Sequence, residues 1–322
     1  MGKPRVLAIG AAVQDVFLQG SIFSPHNTVG GFMEQFVPGS KNDVEQVTFS
    51  TGGGASNAAD TFARHGFRSS FLGRIGRDVA GRAVMEALHR DGVATKEVSL
   101  DDKQSTGYSV LLLAPSGERT ILTYRGASEI YNLRARQLAA HKADWYYISS
   151  LAGDFASLTM ILRYAHRHHI KVAINPGKDE LRRSKDFKAL LPLITLLSVN
   201  KQEAQMLFSG DTSLQLIRQA ATQVPLTIIT DGPQGSVASD GQQVYHAGMY
   251  QNVPVIDRTG AGDAFSSGFT ASLIDGQSME RALLFASANS TSVVEQIGAK
   301  AGILTKRAKL QSMPVVARPL HP

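Results

Sequence analysis

The sequence predicts an α/β fold, a parallel sheet held between two layers of helices with a small β-sheet lid. Three observations predict it. From about residue 140 onward, apolar runs of strand length alternate with stretches of helical period. Strand-helix-strand repetition requires a parallel sheet covered on both faces. Four further segments interrupt that rhythm, the last two alternating in the manner of strands, so they belong to a separate small sheet.

In chain order, the strand Arg5 to Ala11 opens the main sheet. A helix at 55–66, a short strand at 69–73 and a helix at 79–91 follow. After residue 140 come the strand Trp145 to Ser150, a helix at 154–169, the strand Lys171 to Asn175, a helix at 180–190 and the strand Leu196 to Asn200. Helices around 201–208 and 213–222 lead to the strand Leu226 to Thr230, and two long helical patterns, 262–275 and 278–296, complete the layout. The interrupting segments are Asp15 to Gln19, Val44 to Ser50, Thr106 to Leu113 and Arg119 to Arg125. The last two flank the turn Ala114-Pro115-Ser116-Gly117-Glu118 and read as an antiparallel hairpin. The whole chain, 1–322, reads as one domain whose lid comprises about 15–50 and 106–126. The stretch 20–43, rich in Gly, Ser and Asn, is expected to be mobile or to cap a substrate.

Composition narrows the function. The chain has 322 residues and is 43% apolar, enough for a core that excludes water. It contains no cysteine, which removes thiolate nucleophiles, disulfides and zinc-thiolate sites together. Its net charge of +6 is spread along the chain, which favours small anionic ligands over nucleic acid. No apolar run approaches a membrane span, and the start enters a strand pattern directly, so a cytoplasmic protein without membrane partners is expected. There is no P-loop motif. Gly52-x-Gly54 and Gly260-x-Gly262 both fail as dinucleotide fingerprints, at Asn57 and Phe265. His166, His168 and His169 end an exposed helix with no carboxylate pattern beside them, and read as solvated.

Ligands of open parallel sheets bind outside the carboxyl ends of the strands, and the unusual residues cluster there. Gly260-Ala261-Gly262-Asp263 opens a helix. Its glycines let N–H groups converge on an anion, and Asp263 is either a base for an attacking hydroxyl or a cap of the helix. Thr51-Gly52-Gly53-Gly54-Ala55-Ser56-Asn57 lets backbone approach a ligand, with Asn57 offering a donor and an acceptor to a polyol. Asp15 is an acceptor-only carboxylate suited to two hydroxyls. Asn200 and Glu203 have the spacing of a capping box, and also the chemistry of a magnesium-water site beside phosphates. Thr230-Asp231-Gly232-Pro233-Gln234-Gly235 either wraps a nucleotide or simply turns a hairpin.

In order along the chain, these stretches resemble the ribokinase-like (PfkB) family of carbohydrate and nucleoside kinases. Gly73-Arg74-Ile75-Gly76-Arg77-Asp78-Val79-Ala80-Gly81 is similar to the family's first signature and Asp257-Arg258-Thr259-Gly260-Ala261-Gly262-Asp263 to its second. The glycines of the first read as packing positions. The resemblance implies a ribokinase-like α/β/α sandwich with a lid, transferring the γ-phosphoryl group of ATP to a hydroxymethyl group. It implies Asp263 as base and Gly260, Ala261 and Gly262 as anion hole. Asp15, Gly53, Gly54 and Asn57 would bind the acceptor, and Asn200 with Glu203 would organise Mg2+ through water. Thr230, Gly232, Gly235 and Asn289 would bind the nucleotide, and Asp257 with Thr259 a monovalent cation such as K+. Arg125, where lid residues sort substrates, would meet an anionic group of the acceptor or stand in solvent. A small sugar is the expected acceptor. The alternatives are a nucleoside, whose base would want Phe17, Phe36 or Tyr108 beside it, and a catalytically silent sugar-binding protein. The lid sheets of such kinases often pair, so a homodimer is expected.

Overall fold

The structure is a computed structural model that describes residues 2–28, 31–33, 36–116 and 119–321. Among these, the main sheet has nine strands in the order Val315–Pro319, Gln243–Ala247, Ser236–Ser239, Leu226–Thr230, Leu196–Asn200, Lys171–Ile174, Trp145–Ile148, Arg5–Ile9 and Arg68–Leu72. Pairing from Leu226–Thr230 to Arg68–Leu72 is parallel throughout. Beyond Leu226–Thr230 the sheet turns antiparallel, an edge the periodicity did not reveal. The turn Asp231 to Gly235 is thus a hairpin connection as well as a candidate nucleotide loop.

Alternation along each strand divides the core between the two faces. Leu7, Ile9, Tyr146, Ile148, Val172, Ile174, Leu197 and Val199 point to one side and pack with Leu158, Ile161 and Leu162 of helix Phe155–Arg167 and Leu216 and Ile217 of helix Ser213–Ala220. Val6, Trp145, Tyr147, Ala173, Leu196 and Ile228 point to the other and pack with Phe62, Phe269 and Leu283. Those three come from helices Gly54–Arg64, Ala261–Ile274 and Met279–Val294. The stretch 180–190, expected as one helix, is two short ones, Lys178–Arg182 and Ser184–Lys188, broken at Arg183 (φ −94°, ψ 52°). In the first of these the buried Glu180 binds Leu151 N (2.7 Å), Gly153 N (2.9 Å) and Gly177 N (2.8 Å).

The interrupting segments form a four-stranded sheet in the order Arg119–Tyr124, Gly107–Leu113, Val13–Gln19 and Gln46–Gly52. The expected hairpin pairs Arg119 with Leu113 and Tyr124 with Tyr108; Gly117 and Glu118 of its turn lie outside the described residues. So do 29, 30, 34 and 35 of the 20–43 stretch, whose Phe23 packs with Leu112 and Ala114 of the small sheet.

The first glycine signature welds this sheet to the main body. Asp78 caps the helix Val79–Arg90 through Gly81 N (2.7 Å), and its carboxylate also takes Thr106 N (2.8 Å) and Thr106 Oγ1 (2.7 Å) where the small sheet's second strand begins. A side chain at Gly81 would strike the Gly76 carbonyl oxygen. Asp78→Ala removes the cap and leaves a buried N–H unpaired, so it is expected to cost about 2 kcal/mol. Urea denaturation checks this: a midpoint equal to that of the parent chain contradicts the weld.

Candidate active site

Two helices begin at the same place. Gly53, at φ +94°, turns the chain from the small sheet into the helix Gly54–Arg64, and Gly260, at φ +79°, turns it into the helix Ala261–Ile274. A left-handed turn at each helix entry favours glycine, because a Cβ there is strained. Neither site has room for one either: at Gly53 it would lie 2.6 Å from Ala11 O, and at Gly260 it would run into Ala299. Gly54 has the same constraint, since its Cβ would crowd Ser149 Oγ and stand 3.1 Å from Asp263 Oδ1.

Asn57 Nδ2 donates to Asp263 Oδ2 at 2.8 Å, joining the first turns of the two helices. Burial raises the Asp263 carboxyl above the usual carboxylate range, and the Asn57 hydrogen bond opposes that rise. The N–H groups of Gly262 and Asp263 find no acceptor among the described residues, and a Cβ on Gly262 would meet open space. Such free first-turn N–H groups at the positive end of a helix form an anion site.

Asp15 faces this point from the small sheet, between Ser109 and Ser50 in register. It is only 3% exposed. Burial pushes its carboxyl up to about 7; the Ser109 hydrogen bond and the Lys300 charge pull it down, while Asp257 and Asp263 push it further up.

Cavities flank the loop on both sides. One, of about 300 Å³, is lined by Asp15, Gly53, Gly54, Asn57, Arg125 and Asp263, together with Ser109, Thr123, Thr259 and Gly260. The other, also about 300 Å³, is lined by Thr230, Gly232, Gly235, Ala261 and Gly262, with Arg258, Met249, Ser287 and Thr291 on its remaining walls. The loop 258–263 is therefore the wall between them. Asp263 stands on one side and the backbone of Ala261 and Gly262 on the other.

Asn200 ends the strand beside Thr230 and forms the capping box reciprocally with Glu203, at 2.9 Å each way. Burial raises the Glu203 carboxyl, and the Asp263 charge acts on it. Its second oxygen, Oε1, takes no hydrogen bond among the described residues. One carboxylate with a free oxygen fits Mg2+, which uses few protein ligands and completes its shell with water and phosphate.

Other expected residues fall elsewhere. Asn289 does not line the nucleotide-side cavity: it is fully buried, its Nδ2 donating to Ala264 O and its Oδ1 accepting from Leu304 N, each at 2.8 Å. Both ends of its amide are engaged, one with the helix Ala261–Ile274 and the other with the loop at Leu304. Asp257 and Thr259, expected to hold a monovalent cation, come together where the loop begins. Asp257 Oδ1 accepts from Thr259 N (2.9 Å) and Oγ1 (2.7 Å), its Oδ2 from Gly298 N (3.0 Å), and Arg119 Nε lies 4.0 Å away. Phe17 is sealed in a cluster with Leu111 and Leu113, Phe36 meets Phe23 at 6.2 Å, and neither they nor Tyr108 line the cavity that holds Asp15. No described residue of the 20–43 stretch lines either cavity.

Sequence reasoning passed over Arg258, Ser109 and Thr123. Arg258 was within reach as the one basic side chain in the second signature. Ser109 and Thr123 follow once the hairpin register is known, because both lie level with Asp15.

Chains of this architecture form the ribokinase-like class. The fold resembles that of Arabidopsis thaliana ribokinase complexed with ribose and ATP, with a TM-score of 0.76, 22% identity and 95% and 97% of the two chains covered. It resembles adenosine kinase from Sinorhizobium meliloti equally, with a TM-score of 0.77, 22% identity and 93% and 96% covered. The family model of the pfkB family carbohydrate kinases matches residues 19–306, so the chain belongs to that family of phosphotransferases with an alcohol acceptor. Ribokinase of Haemophilus influenzae is 26% identical over 283 residues, which is 85% of this chain and 90% of that one. The Bacillus subtilis ribokinase is 29% identical over 260 residues, or 79% and 85%.

The buried Asp15 has a consequence for stability. Its carboxyl titrates near 3.9 in an unfolded chain and about 7 in the folded one, so the folded chain holds the extra proton and ionised Asp15 destabilises it increasingly from about pH 4 to pH 7. Asp15→Asn is expected to stabilise the protein by roughly 2–4 kcal/mol at pH 8 and by almost nothing at pH 4. Thermal unfolding across that range decides; a gain independent of pH contradicts the raised carboxyl.

Proposed function

We propose that this kinase transfers the γ-phosphoryl group of ATP to a hydroxymethyl group of a small sugar. The observation that carries this reading is the loop 258–263 as the shared wall of two cavities, with a carboxylate on one side and free helix N–H groups beside it. The acceptor lies with Asp15 and Asn57, its hydroxymethyl oxygen at Asp263. Asp263 accepts the hydroxyl proton, the oxygen forms a bond to the γ-phosphorus, and the bond to the β-phosphate oxygen breaks, releasing ADP. Burial that raises the Asp263 carboxyl strengthens it as a base. The N–H groups of Gly262 and Asp263 meet the charge that grows on the transferring group.

Thr230, Gly232 and Gly235 border the nucleotide side, and Arg258 adds a positive charge there. Glu203 is proposed to hold Mg2+ through water. When bound, that ion neutralises the phosphates and draws charge from the leaving group.

The polar lining of the acceptor cavity by Asp15, Asn57, Ser109, Thr123 and Ser128 supports a sugar over a nucleoside; of its described lining residues Tyr131 alone is aromatic, against which a nucleoside base would have to bury its ring. Arg125 reaches the acceptor cavity while paired with Asp179 at 3.0 Å, and Asp179 also pairs with Arg182 at 2.9 Å. An acceptor bearing a phosphate or carboxylate would compete with Asp179 for that guanidinium. The small sheet acts as a lid, and its outer face, with Phe49 69% and Leu122 57% exposed, pairs with a second copy in a cytoplasmic homodimer.

An ADP-coupled assay over pentoses, hexoses, their phosphates and nucleosides tests the acceptor, and turnover with nucleosides alone overturns the sugar assignment. With the acceptor so found, Asp263→Asn is expected to lower kcat by about 10²–10⁴-fold. Unchanged turnover would remove Asp263 from catalysis, and no turnover of the parent chain with any acceptor would support a silent binding protein. Sedimentation tests the pairing: Phe49→Lys is expected to shift a dimer to monomer, and a monomeric parent chain contradicts it.

A further inference from the structure

The helices Gly54–Arg64 and Ala261–Ile274 leave the site together. One turn beyond the Asn57–Asp263 hydrogen bond, the hydroxyls of Thr61 and Ser267 meet at 2.8 Å. At their far ends both helices open on a third cavity, of about 480 Å³, lined by Lys3, Arg64, His65, Asp275, Lys306 and Arg307 among others. It shares no lining residue with the acceptor or the nucleotide cavity. The shorter helix alone, at 11 residues, sets it about 16 Å from the catalytic loop.

Four cations line this cavity against one carboxylate, Asp275. Helix carboxyl ends attract cations, and that accounts for two of the four. Arg64 donates to Ile303 O at 3.1 Å and pairs with Asp91 at 3.3 Å, and Lys306 pairs with Asp275 at 2.6 Å. Lys3 and Arg307 have no ion pair among the described residues. Two unpaired cations in one concavity complement a dianion.

His65 is an independent sign of a ligand. It lines the same cavity yet is only 4% exposed, and neither of its ring nitrogens has a hydrogen-bond partner among the described residues. Its ring stands edge-on to Phe67 and Phe285, with centroids 5.0 and 5.1 Å away. Burial lowers its titration to about 4, so near neutral pH the imidazole is uncharged and has one N–H to donate. Buried polar groups are nearly always paired, and the described fold provides no partner here.

We propose that this cavity is a second anion site, separate from the catalytic one, that binds a dianionic phosphate group: Lys3 and Arg307 supply the matching charge, and His65 a neutral donor. The guanidinium of Arg307 suits two phosphate oxygens at once. The volume exceeds that of a bare phosphate ion, so a small organic phosphate ester fits as well as the free ion.

The test needs no turnover and does not depend on the acceptor assignment. NMR of nitrogen-15-labelled histidine rings, with His65 identified by its contacts to Phe67 and Phe285, follows this cavity during titration at constant ionic strength. Inorganic phosphate and glycerol 3-phosphate are the two probes. A saturable shift of the His65 signals is expected in the parent chain. Lys3→Ala with Arg307→Ala changes two exposed residues, so the fold is retained, and it is expected to weaken that binding about tenfold. Tighter binding of the ester supports an organic phosphate as the ligand, and equal binding supports the free ion. Absence of a saturable shift with both probes overturns the proposal. So does a shift that persists unchanged in the double variant, because the phosphate then acts from the catalytic end of the helices.

Discussion

The hydrogen bond between Asn57 and Asp263 joins the starts of two helices, and the rest of the site is arranged around it. Helix ends carry unpaired N–H groups and a positive dipole. Placing two such ends together with three carboxylates, Asp15, Asp257 and Asp263, balances like charges with oriented backbone rather than with water. Because Asp15 and Asp257 are buried, the electrostatic terms that act on them are stronger than they would be on the surface.

That arrangement depends on helices that cannot shift. The helix Ala261–Ile274 is almost wholly buried and built from small residues, with Gly268 admitting Phe285 and Asn289 of the neighbouring helix. Its polar side chains satisfy themselves locally: Ser267 Oγ donates to Asp263 O (2.6 Å), and Thr270 Oγ1 to Ser266 O (2.8 Å). Tyr147 reaches from the sheet to Ser266 at 2.9 Å. A helix fixed on all sides holds its first turn in one position, which is what preorganised charge stabilisation requires. The opposing demand is visible in Asp15 and Asp60, whose carboxyls are pushed up to about 7 and about 6 chiefly by burial. Function places charge where folding alone would not.

Much of this was legible beforehand where local pattern and tertiary role agree. The strands Leu196–Asn200 and Leu226–Thr230 fall on the expected residues, because an apolar run bounded by polar residues admits one reading. The glycine clusters 52–54 and 260–262 announced unusual backbone, and Gly53 and Gly260 do take positive φ with no room for a side chain, whereas Gly262 faces open space. The strands Ser236–Ser239, Gln243–Ala247 and Val315–Pro319 were not legible. Their side chains are small or half polar, and they become strands through pairing with Leu226–Thr230 and with one another. Asn289 was assigned by its place along a helix, yet which face of that helix meets the cavity was settled by packing against Ala264 and Leu304.

The sequence by itself determined the layer architecture, the two glycine-led helix starts and the residue types able to carry phosphoryl transfer. Those follow from hydrophobic period, backbone freedom and the chemistry of side chains, which are local properties. Only the tertiary structure decided that Asp263 and Asn57 touch across 206 residues, that one loop separates two cavities, and that Lys300 lies against Asp60. These are contacts between segments distant along the chain, and no local pattern carries the distance between them.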